Sequence, residues 1–202
     1  MKHAVVFAHP SHKSLNAAIA RTYREAVERL GDEVIERDLY AMRFDPCLKA
    51  AEIPGPKAPV FRPEVRRERE LLADVDIFAF VYPLWFNAPP AILKGYIDRV
   101  FGMGFGFVPD FGGTQPALTG RKLISFTTSG APDAWVRETG ALHDLMRLFD
   151  GHLAGTCGLT VVDHVHLGGI VSGITEEAGD EVLDKVGKTV AAHFRSHLAR
   201  TA

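Results

Sequence analysis

Short runs rich in β-branched and aromatic residues recur five times along the chain, over 4–8, 34–39, 76–82, 123–127 and 155–162. The run over 76–82, Asp76-Ile77-Phe78-Ala79-Phe80-Val81-Tyr82, is almost wholly apolar. That is the pattern of a strand buried on both faces of a sheet. The stretches between the runs carry apolar residues at helical spacing. Ser14 caps a helix with Leu15, Ile19, Tyr23, Ala26, Val27 and Leu30 on its apolar face, and Gly31 ends it where a left-handed residue is needed. A short exposed helix is predicted over 64–72. Pro89-Pro90 opens a third helix with Ile92, Leu93, Tyr96, Ile97, Val100 and Phe101. Asp133 caps a fourth, running to Phe149, and Thr175 a last one, with Val182, Leu183, Val186, Val190, Phe194 and Leu198.

Strand and helix thus alternate through the chain, which demands a parallel sheet covered on both faces with right-handed crossovers. For five strands the doubly wound α/β solution is the order 2-1-3-4-5, with a ligand crevice where strands 1 and 3 diverge. The loops at that edge are 9–14, 83–87 and 127–132. No repeat is visible, and residues 1–202 are expected to form one domain. Two stretches lack periodicity: 40–62, holding Pro46, Pro54, Pro56 and Pro59, and 101–120, rich in glycine and aromatics. Long loops of this kind are commonly functional. The Gly-Met-Gly-Phe-Gly run at 102–106 is no dinucleotide fingerprint, because its spacing is wrong and it follows a helix.

Composition narrows the classes. The chain is 47% hydrophobic and 24% charged, with a net charge of -2. This suits a globular core and gives no electrostatic case for nucleic acid. No apolar run approaches the roughly 20 residues that span a bilayer. The first strand begins at once, with no secretory apolar segment, so a cytoplasmic protein is expected. Cys47 and Cys157 stand alone, with no CxxC, and are expected to be reduced and structural. His164 and His166 share a strand face, and His193 and His197 lie one helical turn apart. With no third ligand in view, no metal site is expected, and these histidines read as surface or helix-end residues.

Candidate chemistry lies in the edge loops. Trp85 and Phe86 are large aromatics in a loop, where either the core or a flat apolar ligand would cover them. The helix beginning near Ser14 presents free N–H groups and a positive dipole end, a ready anion site.

The segment Pro-Leu-Trp-Phe-Asn-Ala-Pro-Pro-Ala-Ile-Leu-Lys-Gly-Tyr-Ile-Asp-Arg-Val-Phe, 83–101, resembles the signature of the NAD(P)H:quinone oxidoreductase family, flavoproteins of flavodoxin-like fold. The resemblance extends from His3 to the last helix. It implies that Pro83, Leu84, Trp85, Phe86 and Asn87 hold the flavin ring, although many relatives carry a second Trp where Phe86 stands. His9-Pro10-Ser11-His12-Lys13-Ser14-Leu15-Asn16 resembles the family's phosphate loop, which assigns His9, Ser14, Leu15 and Asn16 to the cofactor. Thr127-Thr128-Ser129-Gly130 resembles the loop at the pyrimidine edge, where donors favour the reduced flavin. Trp135 stands where relatives often carry a Tyr that donates to the reduced flavin, and His143 near a substrate-side histidine; these are the catalytic candidates. An indole N–H donates but does not exchange a proton at ordinary pH. Phe107 and Phe111 are assigned to the substrate pocket, Phe107 near an aromatic that is often Tyr in relatives.

The implied activity is ping-pong, two-electron hydride transfer from NAD(P)H through a flavin, FAD in preference to FMN, to a quinone. A homodimer with sites at the interface is implied, with 101–111 placed there. The alternatives are a flavin-binding accessory subunit of a membrane transport system and a flavodoxin-type electron carrier; the small net charge speaks against the carrier.

Overall fold

The computed structural model describes residues 1–56 and 58–195. Strands β1 (Lys2–Phe7), β2 (Glu33–Asp38), β3 (Ile77–Pro83), β6 (Lys122–Thr128) and β7 (Thr160–Leu167) form one parallel sheet in the order β2-β1-β3-β6-β7. In the order of the strands along the sheet this is the expected 2-1-3-4-5 arrangement. β4 (Phe107–Asp110) and β5 (Gly113–Pro116) make a separate antiparallel hairpin inside the stretch expected to be loop.

Alternation along the strands sorts their side chains into two cores. Val5, Phe7, Ile77, Ala79, Val81, Ile124 and Phe126 face α1 (Leu15–Arg29) and α7 (Glu176–Phe194). Ala4, Val6, Phe78, Phe80 and Tyr82 face the opposite way, toward α3 (Ala91–Val100) and the segment holding α5 (Ala141–Leu145) and α6 (His152–Cys157). β3, at the centre, is buried at every position, which explains its unbroken apolar sequence. Ser14 caps α1 by accepting from the Ala17 N–H, and Thr175 caps α7 likewise through Ala178.

Several expectations need correction. The helix from Asp133 to Phe149 is broken: α4 (Asp133–Glu138) stops, Gly140 takes φ +77, and α5 restarts before a π-turn over Met146–Gly151 leads into α6. Pro132, not Asp133, is the N-cap of α4. Residues 155–157 belong to α6, which ends where Gly158 adopts φ +80, so β7 starts at Thr160. β7 also carries a bulge: Leu123 pairs with Val161 but Ile124 with Asp163, leaving Val162 over. Helix α2 (Pro63–Leu71) is less exposed than predicted, because Val65 and Glu68 are buried. Cys47 is exposed and so is no core residue, whereas Cys157 is buried; both are free. His197 and Leu198 lie outside the described residues.

The proline-rich loop after β2 is tied down by charge. Arg99, fully buried on α3, donates to both carboxylate oxygens of Glu52 at 2.8 and 2.7 Å and to Glu64 at 2.9 Å. Gly95 lets the loop close on α3, since a Cβ there would stand 2.2 Å from the Pro46 carbonyl oxygen.

Candidate functional site

Three loops leave the same edge of the sheet and meet over one pocket. It is lined by His9, Ser14, Leu15 and Asn16, by Pro83, Leu84 and Trp85, by Thr128, Ser129 and Gly130, and by Ile170. Backbone bonds hold the loops together: Leu84 N–H donates to the Thr128 carbonyl at 2.7 Å, and Ser129 N–H to that of Leu167 at 3.1 Å.

The first loop runs into the N-terminus of α1. Helix geometry leaves the N–H groups of Leu15 and Asn16 without intrahelical acceptors, and no acidic side chain occupies the first turn. His9 Nδ1 accepts from the Ser11 N–H at 3.0 Å. When Nδ1 accepts this bond a neutral ring carries its proton on Nε2, whereas the Ser11 carbonyl, 3.2 Å from Nδ1, is met by the other tautomer. Asn16 is buried, donates through Nδ2 to Thr128 Oγ1 at 2.8 Å, and leaves Oδ1 with no partner among the described residues. A buried acceptor without a donor calls for a ligand or water. The donor set fits a phosphorylated, flat cofactor: free N–H groups at the helix end, a hydroxyl, an imidazole and an aromatic wall.

The second loop is held in an unusual conformation. Phe86 and Asn87 have φ of +51 and +53, and Trp85 and Ala88 exchange backbone hydrogen bonds at 3.1 and 3.2 Å across them. Two consecutive left-handed residues make a tight reversal of type I′ character, which a Phe adopts only under strain. Trp85 is 44% exposed and Phe86 fully exposed, so the core covers neither. Core packing is thereby excluded for Phe86. Asn87 Nδ2 donates to the Ala141 carbonyl at 2.9 Å, fastening this loop to α5.

Not every predicted residue faces the pocket. Phe86 and Asn87 stand beside it, and Thr127 turns to the opposite sheet face, where its hydroxyl meets His164 and His166. At Gly130 a Cβ would meet nothing nearer than the Ile170 carbonyl at 3.7 Å, so crowding within the chain does not require glycine there. Trp135 on α4 is 56% exposed, and His143 on α5 lies in open solvent with Asp144 3.6 Å away. Phe107 lines a separate apolar cleft with Ile97, Phe101, Leu148 and His152, while Phe111 is fully exposed at the hairpin tip.

A polar cluster missed in the sequence lies beneath the third loop. His164 and His166 are buried, not surface histidines. His164 Nδ1 bonds to the Asp150 carboxylate and its Nε2 lies 2.9 Å from Thr127 Oγ1; His166 Nδ1 is 2.9 Å from the same hydroxyl, and its Nε2 is 3.1 Å from Ser129 Oγ. Ser125 donates to Asp150 at 2.8 Å. Burial pushes His166 down to about 4, keeping it neutral at ordinary pH. The bulge at Val162 sets this up by pairing His164 with Ser125 and His166 with Thr127.

A family model described as flavodoxin-like fold matches residues 1–190. A Haemophilus influenzae protein named "Uncharacterized NAD(P)H oxidoreductase" is 32% identical over 171 residues, 84% of this chain and 85% of that protein. NAD(P)H dehydrogenase [quinone] 1 of Cavia porcellus is 27% identical over 179 residues; the match takes in 79% of this chain but 65% of that longer protein. Among solved structures, an NAD(P)H:quinone oxidoreductase from Methanothermobacter marburgensis superposes with a TM-score of 0.80 over 94% of this chain and 95% of that one, at 24% identity.

Proposed function

The chain belongs to the flavodoxin-like fold family, and from that premise we propose that it is a flavin-dependent NAD(P)H:quinone oxidoreductase. The observation that carries the reading is the pocket where the three edge loops meet, with the unpartnered Asn16 Oδ1 in its wall. Leu15 and Asn16 N–H groups, Ser14 and His9 Nε2 would hold the phosphate. Trp85 would cover one side of the ring, and Thr128, Ser129 and Gly130 would meet its polar edge. A flavin bound there supplies the two-electron carrier between NAD(P)H and a quinone. The protein's share is to position both partners in turn over the same exposed aromatic loop and to place donors where negative charge accumulates.

FAD is the cofactor proposed, with FMN the alternative, on the strength of the family resemblance. Trp135 and His143 remain the catalytic candidates, and Phe107 and Phe111 the substrate-pocket candidates. Because Phe86 and Phe111 stand fully exposed and Leu148 largely so, a homodimer is proposed in which a second copy covers this face; sedimentation velocity tests it. The reading takes residues 1–202 as one domain, supported by the family match over residues 1–190. No helix among the described residues is long and apolar enough to cross a membrane, and a cytoplasmic location is proposed.

The test is an absorbance spectrum of the purified or flavin-reconstituted protein, followed by NAD(P)H and then menadione. Bleaching by the nucleotide and recovery with the quinone is expected, and the mass of the released flavin distinguishes FAD from FMN. Failure to bind either flavin would overturn the proposal.

A further inference from the structure

We propose that Asp150, His164, Thr127, His166 and Ser129 form a buried store and relay for a single proton, opening on the pocket at Ser129. The hydrogen-bonded chain is unbroken: Asp150 to His164 Nδ1, His164 Nε2 to Thr127 Oγ1, Thr127 Oγ1 to His166 Nδ1, and His166 Nε2 to Ser129 Oγ. All but Ser129 are buried, and Ser129 lines the pocket. Asp150 is delivered to its place by the π-turn over Met146–Gly151, a local irregularity of the kind that accompanies function.

The chain is complete in two polarities. In the first, Asp150 is a carboxylate and every donor points toward it: His164 Nδ1–H to Asp150, Thr127 O–H to His164 Nε2, His166 Nδ1–H to Thr127, and Ser129 O–H to His166 Nε2. In the second, Asp150 is a carboxylic acid and every donor points away from it. Both histidines then carry their proton on Nε2, and the Ser129 hydroxyl turns to the Ala131 carbonyl 3.0 Å away. No donor or acceptor in the chain is stranded in either state. The two differ by a single proton, on Asp150.

Passage from the second state to the first releases that proton into the pocket. Asp150 O–H transfers to His164 Nδ1, His164 Nε2–H to Thr127, Thr127 O–H to His166 Nδ1, His166 Nε2–H to Ser129, and the Ser129 hydroxyl proton to the acceptor. Only O–H and N–H bonds form and break, and no residue is oxidised or reduced. A quinone that has taken a hydride is an anion that requires one proton to become the hydroquinone. The relay supplies it, and water at the pocket mouth reloads Asp150 by the reverse path. This use of the proton rests on the reductase reading; the store itself does not.

Other groups act on the relay. Asp133 and Arg137 of α4 and Lys185 of α7 act on His166 together with His164. Tyr82 and Ser125 flank Asp150. Asp163, which accepts from the His164 backbone N–H, is paired with His193 at 3.0 Å. The low proton affinity of buried His166 suits a carrier that passes the proton on and does not hold it.

The tautomers of the two histidines read the store directly. Long-range proton–nitrogen spectra of the full chain, labelled at histidine and recorded without flavin on lowering the pH, should show His164 and His166 moving together from Nδ1–H to Nε2–H in one transition. Thr127→Val should uncouple them, with His164 still following Asp150 and His166 not, and Thr127→Ser should restore the joint transition. Separate transitions in the wild-type chain, or either histidine becoming an imidazolium without first exchanging tautomers, would overturn the store. In the flavin-loaded protein, the quinone half-reaction of Thr127→Val should run about 100-fold slower than that of Thr127→Ser, the low end of what positioned proton transfer contributes. Equal rates would overturn delivery to the acceptor. Flavin binding is scored separately by absorbance, so loss of the reductase reading leaves the tautomer result standing, and the reverse.

Discussion

Asn16 Nδ2 donates to Thr128 Oγ1 at 2.8 Å, joining the start of α1 to the end of β6 across the mouth of the pocket. The amide thereby spends its donor on the scaffold and leaves its acceptor buried without a partner among the described residues. Asn16→Leu removes both. It should lower stability by about 1 kcal/mol, as for the loss of one net hydrogen bond. It should also weaken flavin binding by tenfold or more, measured by quenching of flavin fluorescence on titration. Unchanged flavin affinity would remove Asn16 from the site.

Phe86 allows conformation and side chain to be separated. Phe86→Gly accommodates φ +51 without strain, so the melting temperature should hold or rise. Phe86→Ala keeps part of the strain and should melt no higher than the glycine variant. Both lose the exposed ring, and both should raise the quinone KM. A quinone KM equal to wild type in both variants would leave the ring without a substrate role.

Gly95 reverses the usual ranking of helix residues. Alanine is better than glycine in a helix interior by roughly 1 kcal/mol, yet Gly95→Ala should destabilise, because its Cβ would collide with the backbone of Pro46. Thermal unfolding gives the sign. Greater susceptibility of the 40–62 loop to proteolysis in the variant would locate the damage.

The Arg99–Glu52 pair predicts both a mutational and a pH effect. Arg99→Met strands a buried carboxylate and should cost about 3–5 kcal/mol. The hydrogen bonds from Arg99 hold the Glu52 carboxyl below its ordinary value. A depressed carboxyl contributes stability that is present above its unfolded pKa and lost as pH falls through the folded one. The wild-type contribution should therefore be lost as pH falls through and below the ordinary glutamate range, and the deficit of Arg99→Met should shrink over the same range as Glu52 is protonated.

The buried histidines predict a second acid limb. His3 and His166 are each lowered to about 4, chiefly by burial. The unfolded chain protonates them near 6.5 and the folded chain near 4, so stability is full above about 6.5 and declines as pH falls toward 4. Chemical denaturation at intervals through that window should show the decline, and His3→Gln should make it shallower. A flat profile would mean that these rings are not held neutral by the fold.

How much of this was legible in the sequence depended on the length of each pattern. The β3 run and the α1 periodicity reported their elements directly, and the strand order followed from alternation alone. That the loops 9–16, 83–87 and 127–130 meet over one pocket was legible because each follows a strand that the doubly wound order brings to the same edge. The break at Gly140 was not, because an isolated glycine in a helical pattern has no single meaning, and its left-handed backbone is seen only in three dimensions. Thr127 was read with its neighbours as a pocket residue, although alternation sends it to the other face from Thr128. Asp150, His164 and His166 escaped because they are distant in sequence from the loop they support. Polar residues on an edge strand also look solvated until a covering helix is placed over them.

The bulge at Val162 makes β7 a strand read in two phases. Upstream of it the side chains follow one alternation, and downstream the opposite one. Loss of a single codon there would leave the sheet, the helices and the pocket lining encoded as before. It would let β7 pair without a bulge, Leu123 with Val161, Ile124 with Asp163 and Ser125 with His164, so both histidines would keep their face. The buried histidine cluster is therefore proof against the smallest in-frame deletion at this position, because the extra residue is the one the sheet leaves unpaired.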